Sequence, residues 1–247
     1  SEMCIRDRDY KQAQLIKVHA EMPSSSRPLY EVLATGVPSY RNGILTNADG
    51  QHSKELSIFD LVKAAGGSTA AAAHYWQSEL FNQAPYEIKR DRIQHDHKKS
   101  IQHGIFYSEN QYPDSHVFAD GHYLLHTYQP NLLLIHSMNI DAAGHRYTAV
   151  SKEYRKAVNQ ADQLIGLYLH DWLAAGYQVI VTADHGMDEY GLHGGSMAAH
   201  REVPLYIFSD IFPPDCGIEK MNQLELAPLI CSLLKIDTSE RMQIGRS

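Results

Sequence analysis

Three short apolar runs constrain this chain more than any other feature. Residues 131–136 (NLLLIH), 178–182 (QVIVT) and 203–208 (VPLYIF) are too short for buried helices and too apolar for exposed loops, so they read as buried strands. Helical patterns alternate with them. Residues 151–175 carry Val158, Leu164, Ile165, Leu167 and Leu169 on the apolar side of a long amphipathic helix that Gly176 ends. Residues 117–128 read as a helix broken by Pro130, and 223–234 as a closing helix. Earlier in the chain, 14–20 alternates weakly like a strand. Residues 30–35 read as a short helix stopped by Gly36 and Pro38, 57–65 as a helix ending at Gly66-Gly67, and 68–73 as a small-residue buried strand. This alternation predicts an α/β fold, a mostly parallel central sheet with helices on both faces, in a single domain over residues 1–247. The stretch 85–115 is polar and mixed in charge and is expected to be an insertion or lid.

Composition excludes several classes. At 43% hydrophobic and 21% charged, the chain is neither disordered nor fibrous. A net charge of −7 opposes a polyphosphate partner, and residues 89–99 mix both signs, so no nucleic-acid-binding patch is evident. The apolar runs fall far short of a membrane span. Cys4, Cys216 and Cys231 have no paired spacing, which argues against a disulfide framework or a cysteine-based zinc motif. Fifteen histidines stand out, because histidine is the commonest metal ligand. No signal peptide is visible, and the compartment and oligomeric state do not follow from the sequence. The start, SEMCIRDRD, lacks an initiator methionine and a structural pattern, and is expected to be a truncated beginning.

In open parallel sheets ligands bind beyond the carboxyl ends of strands. Residues 131–136 run into a loop with Asp141 and His145, and 178–182 run into Asp184-His185-Gly186-Met187. His193 follows between glycines. Aspartate offers a hard oxygen and histidine a borderline nitrogen, a set that suits zinc and, less selectively, manganese or iron. A lone Asp after a strand is usually a cap or turn former; three such loops at strand ends together point to a metal centre. A nucleophile is available at Ser24, Ser25 and Ser26, a turn preceding the 30–35 helix. One serine can cap a helix, but three cannot. A metal beside one of them would lower its hydroxyl pKa, and helix N-terminal amides would help hold a phosphate oxygen.

Taken in order, these residues resemble the alkaline phosphatase superfamily, in particular its nucleotide pyrophosphatase/phosphodiesterase branch. Residues 22–28 (MPSSSRP) resemble the nucleophile segment, followed by Thr35-Gly36 and Asn42-Gly43-Ile44. Asp141-Ala-Ala-Gly-His145, Asp184-His185-Gly186-Met187 and His193 resemble the metal motifs. The resemblance implies a three-layer sandwich and two divalent ions, most simply zinc. Asp141, His145 and His193 would hold the first, and Asp184, His185 and Ser26 the second, with Ser26 as nucleophile. It implies hydrolysis of a small phosphodiester or pyrophosphate by in-line displacement through a phosphoseryl intermediate.

Three departures stand beside the resemblance. The second metal of the family also takes an aspartate from the end of a first strand, expected here to be missing; Asp7 and Asp9 lack such a strand. Serine replaces the usual threonine. Leu29 occupies the position of a phosphate-binding Asn, for which the adjacent Arg27 is expected to supply charge. Sulfatase, phosphomonoesterase and phosphonate hydrolase are the enzyme alternatives, although Tyr30 stands where the sulfatase motif requires Arg. An inactive metal-binding domain is the other. Tyr75, Trp76 and Glu79 are expected to pack more than to line a pocket, His95-Asp96-His97 to be solvated, and His122 and His126 to be ordinary helix residues.

Overall fold

The computed structural model describes residues 13–211 and 217–242. Asp7 and Asp9 lie outside them. In chain order the elements that matter are β1 (Ala13–His19), α1 (Ser26–Thr35), α2 (Ser39–Asn42), α3 (Ile58–Ala64), β2 (Thr69–His74), α4 (Trp76–Phe81), α5 (Ile88–Asp91), β3 (Ile93–His95) and β4 (His103–Tyr107). They continue as α6 (Asp114–Tyr128), β5 (Leu132–Ile135), α7 (Asn139–Tyr147), α8 (Lys152–Ala174), β6 (Val179–Thr182), α9 (Ala198–Arg201), β7 (Glu202–Phe208), β8 (Lys220–Asn222) and α10 (Leu226–Leu234). The expected α/β architecture is present. Its strands are divided over two four-stranded sheets, β6-β7-β1-β8 and β3-β4-β2-β5. Pairing is parallel at β1/β8, β2/β4 and β2/β5, and antiparallel at β1/β7, β6/β7 and β3/β4.

Local chemistry accounts for the helix boundaries. Ser57 accepts from the Asp60 backbone N–H while Asp60 accepts from that of Ser57, a capping box that starts α3. Ser151 caps α8 by accepting from Tyr154 N–H. Gly36, with φ +63°, ends α1 in the left-handed conformation. The alanine run of β2 is buried at every position, because small side chains let the flanking strands and helices approach closely. Residues 85–115, expected as an insertion or lid, are instead partly core. Their strand β4 is buried throughout and lies between β3 and β2, with Phe106 fully enclosed. Its polar residues had masked a buried strand: His103 stacks on Tyr128 rather than facing water.

One core group titrates far from its usual range. Glu31 on α1 is fully buried; its Oε1 accepts from the Ser53 hydroxyl and its Oε2 has no partner. Burial, only partly offset by the Ser53 hydrogen bond, pushes its carboxyl from 4.5 up to about 8. Between those values the folded chain holds a proton that the unfolded chain releases, so stability falls as pH rises through this window. Glu31→Gln is expected to flatten that fall by several kcal/mol, since each tenfold change in proton affinity is worth about 1.4 kcal/mol. Urea denaturation of both proteins across the window checks this; parallel stability profiles would remove Glu31 as the cause.

Candidate active site

The three Asp/His segments and the serine turn meet at one end of the sheets. Asp141 and His145 do not sit on a loop, as the sequence suggested, but on α7. Their spacing of four places them on one helix face. His193 enters from the 186–195 loop, and Asp184-His185 from the carboxyl end of β6. Ligand atoms of Asp141, His185 and His193 all lie within 4.8 Å of one another. His145 Nε2 is 3.5 Å from Asp141 Oδ1 and 3.1 Å from His193 Nε2, and His193 Nε2 is 3.7 Å from Asp141 Oδ1. His185 Nε2 is 3.3 Å from Asp184 Oδ2 and 3.0 Å from Ser26 Oγ.

The imidazoles are oriented from behind. His145 Nδ1 faces Gly191 C=O at 2.9 Å, His193 Nδ1 faces Ser24 C=O at 3.0 Å, and His185 Nδ1 faces Gly186 C=O at 3.0 Å. A carbonyl only accepts, so each Nδ1 carries the proton and each Nε2 presents a lone pair to the cluster. Two such lone pairs 3.1 Å apart, on His145 and His193, repel unless a cation lies against them. Asp141 Oδ1 is buried with no hydrogen-bond partner. Burial pushes the Asp141 carboxyl up and the His193 imidazole down; His185 beside His193 adds to the latter. A neutral imidazole is the ligating form, and a cation would hold the carboxylate ionised. The donor set therefore fits a divalent metal.

Tertiary structure separates the three serines. Ser24 donates to Gly195 C=O at 2.7 Å and pairs with Gly194 in a β-bridge, tying the turn to the His193 loop. Ser25 occupies the N-cap position of α1, and Ser26 begins the helix with its hydroxyl on His185. The helix terminus offers fewer amides than expected. Arg27 N–H donates to Asn47 Oδ1 at 3.0 Å, and Pro28 has none.

Arg27 also departs from expectation. It is 3% exposed; its guanidinium donates to Glu79 Oε2 at 2.7 Å and to Asp49 C=O at 3.0 Å, and lies 4.6 Å from the Trp76 ring centroid. Its charge is paired with Glu79, so Arg27 anchors the start of α1 rather than facing a phosphate. Glu79 and Trp76 thus serve packing. His122 and His126 touch each other on α6, and His95 packs against Tyr128.

Several residues went unread in the sequence. Tyr30 is buried one helical turn after Ser26, and its hydroxyl donates to Met138 Sδ at 3.4 Å. Burial first, and then the Asp184 charge, holds the phenol well above its usual pKa, so it is a neutral O–H at the site. The spacing of four from Ser26 was the available signal. His136, edge-on to Tyr30 with ring centroids 4.7 Å apart, directly follows β5. The buried Asp188–His200 pair has Nε2 and Oδ2 3.0 Å apart. Asp188 also accepts from Tyr190 and Leu192 N–H, and His200 Nδ1 accepts from Gly195 N–H, which holds the loop bearing His193. Two glycines let this loop close. A Cβ on Gly186 would sit 2.0 Å from Ala199 O. At Gly191, with φ +76°, a Cβ would clash 2.6 Å from Gly144 O.

Residues 11–197 match the family model of type I phosphodiesterases / nucleotide pyrophosphatases. The chain belongs to this family. It is 33% identical over 89 residues to GPI ethanolamine phosphate transferase 1 of Emericella nidulans, covering 34% of this chain and 10% of that protein. Over 76 residues it is 34% identical to human ectonucleotide pyrophosphatase/phosphodiesterase family member 7, covering 29% of this chain and 16% of that protein. The matched segments are thus a small part of these curated relatives. Murine ectonucleotide pyrophosphatase/phosphodiesterase 5 shares the fold, with a TM-score of 0.75 at 13% identity over 97% of this chain and 91% of that one. The fold also occurs in a putative sulfatase of Bacteroides fragilis, with a TM-score of 0.66 at 13% identity over 97% of this chain and 70% of that one. The architecture is therefore alkaline phosphatase-like.

Proposed function

We propose that this protein hydrolyses phosphodiester or pyrophosphate bonds of small molecules, with Ser26 as nucleophile beside two divalent ions, most simply zinc. The observation that carries the reading is the clustering of Asp141, His185 and His193 within 4.8 Å of one another, with His145 Nε2 against His193 and the Ser26 hydroxyl 3.0 Å from His185 Nε2. Asp141, His145 and His193 would hold one ion, and Asp184, His185 and Ser26 the other. When bound, the ions supply Lewis acidity that favours the serine alkoxide and offsets charge on the phosphoryl oxygens.

The chain's own residues do the rest. Ser26 Oγ attacks phosphorus, the leaving alkoxide or phosphate departs, and a phosphoseryl ester remains. Water then attacks the same phosphorus and returns the serine. The carbonyls behind His145, His185 and His193 keep each ring turned to the centre. Asp188 and His200 keep the His193 loop closed. Tyr30, neutral and buried one turn from the nucleophile, fixes the inner face of the Ser26 pocket through Met138. Arg27 keeps the start of α1 in register through Glu79.

The matches to GPI ethanolamine phosphate transferases favour a second reading, in which an alcohol takes the place of water as the final acceptor. Both readings share the serine step. Zinc content near two per chain, with faster turnover of a bis-aryl phosphodiester than of aryl phosphate or aryl sulfate, is the expected result. Zinc binding without turnover of any of these would overturn the enzymatic reading, and preference for the sulfate would move the protein to the sulfatases. A rate increase on adding ethanolamine or glycerol, with ester product, would select the transferase.

A further inference from the structure

Three histidines gather at the opposite end of the sheet from the candidate active site. His95 ends β3, His97 lies two residues further on in the turn, and His103 opens β4. β2 pairs in parallel with both β4 and β5, and Asp141 and His145 follow the carboxyl end of β5. His103, at the amino end of β4, therefore lies at the other end of the same sheet.

The β3–β4 hairpin brings the three rings together. Asp96 N–H donates to Gln102 C=O and Phe106 N–H to Arg92 C=O, both at 2.9 Å. These are hydrogen-bonded positions of the ladder, so the His95–His103 pair next to Asp96 and Gln102 is a non-hydrogen-bonded one. The two side chains of such a pair stand on one face with their Cβ atoms about 4.5–5.5 Å apart. His97 is held beside them because the turn is fixed. Lys98 N–H donates to Asp96 Oδ1 at 2.9 Å, Lys99 N–H to Asp96 C=O at 3.1 Å, and Gln102 Nε2 to His97 C=O at 3.4 Å. The His103 ring centroid is 5.6 Å from that of His95 and 5.3 Å from that of His97. Zinc–imidazole bonds of about 2.0–2.1 Å put each ring centroid about 3.2 Å from the ion, so two tetrahedral ligands have centroids about 5.2 Å apart.

The buried member is the anchor. His103 is 5% exposed and stacks on Tyr128 at a centroid separation of 3.9 Å, and its Nδ1 is enclosed without a hydrogen-bond partner. Packing alone does not call for histidine here, because a phenylalanine stacks without stranding a polar nitrogen. His95 Nε2 lies 3.2 Å from the Tyr128 hydroxyl oxygen. With Nε2–H donating to that oxygen, His95 Nδ1 keeps a lone pair for a cation. His95 and His97 are exposed, so their rings are free to turn towards His103.

We infer that His95, His97 and His103 form a transition-metal site, separate from the Asp141 cluster, that binds zinc and ties β3 to β4. Three imidazoles without carboxylate or thiolate suit zinc, copper or nickel and disfavour magnesium and calcium. β3 has three residues and is the last strand of its sheet among the described residues. An ion held from both strands fixes that short edge. This inference does not rest on the activity proposed above.

The test uses the full chain and its His95→Gln and His97→Gln variants, stripped by chelator and then saturated with zinc. Both side chains are exposed, so the variants keep the fold. The original protein is expected to bind one zinc per chain more than either variant. Ions at the Asp141 cluster contribute equally to all three, so the difference reads this site alone. Zinc is also expected to slow hydrogen exchange at the Asp96 and Phe106 amides at least tenfold in the original protein and not in the variants, since an ion bound only to the closed hairpin suppresses its opening. Equal zinc content in all three proteins would overturn the inference, as would loss of the ion in only one variant. An extra ion without slowed exchange would remove the tie between the strands. Loss of the ion in His126→Gln but not in His95→Gln would place it on the touching His122–His126 pair of α6 instead.

Discussion

Ser26→Ala is expected to lower phosphodiester turnover by at least about a thousandfold, the scale on which loss of a covalent nucleophile acts. The residue is 4% exposed and loses only its hydroxyl, so the fold should survive. Its neighbours make the result interpretable. Ser24 is occupied by Gly195 C=O, and it is the Ser26 hydroxyl that lies 3.0 Å from His185 Nε2. Ser26→Thr keeps the hydroxyl and is expected to retain most of the activity. Mass spectrometry after brief reaction should find one phosphoryl group on the peptide carrying Ser26, and none in the alanine variant. A Ser26→Ala protein with more than a tenth of the original turnover would exclude the serine mechanism.

His193→Ala is expected to remove one bound zinc per chain and to reduce turnover at least about a hundredfold, beyond the 10–100-fold usual for outer-shell changes. His193 is the hub of the cluster: its Nε2 lies 3.1 Å from that of His145, and its ring stacks on His185 at a centroid separation of 3.8 Å. Without it the first ion proposed above would keep only Asp141 and His145. The readout need not be activity. Adding zinc to chelator-treated protein should raise Tm, since a ligand that binds only the folded state stabilises it, and that rise should shrink in the variant. Equal zinc content and an equal Tm rise in both proteins would show that His193 is not a ligand.

Much of this molecule was legible from local pattern. The runs at 131–136 and 178–182 are strands because they are apolar and short, and the helix at 151–175 follows from its stripe and its Ser151 cap. Asp141, His145, Asp184, His185 and His193 could be picked out because they lie just beyond strand ends. Other features resisted for equally physical reasons. β4 contains histidine and glycine, so its burial shows only when β2 and β3 pair with it. Asp141 and His145 looked like loop residues because α7 starts without a side-chain cap. Arg27 looked like a free charge because its partner, Glu79, lies 52 positions away.

The sequence by itself determined which chemistry the chain can offer: hard oxygens, imidazole nitrogens and a serine hydroxyl, each carried past an apolar strand or at a helix start. Tertiary structure decided which of these groups act together and which way they point. His145 and His193 owe their ring orientation to carbonyls 46 and 169 positions away in the chain, and Ser26 meets His185 across 159. Such pairings carry no local signature, because hydrogen-bond direction depends on where the backbone passes in space.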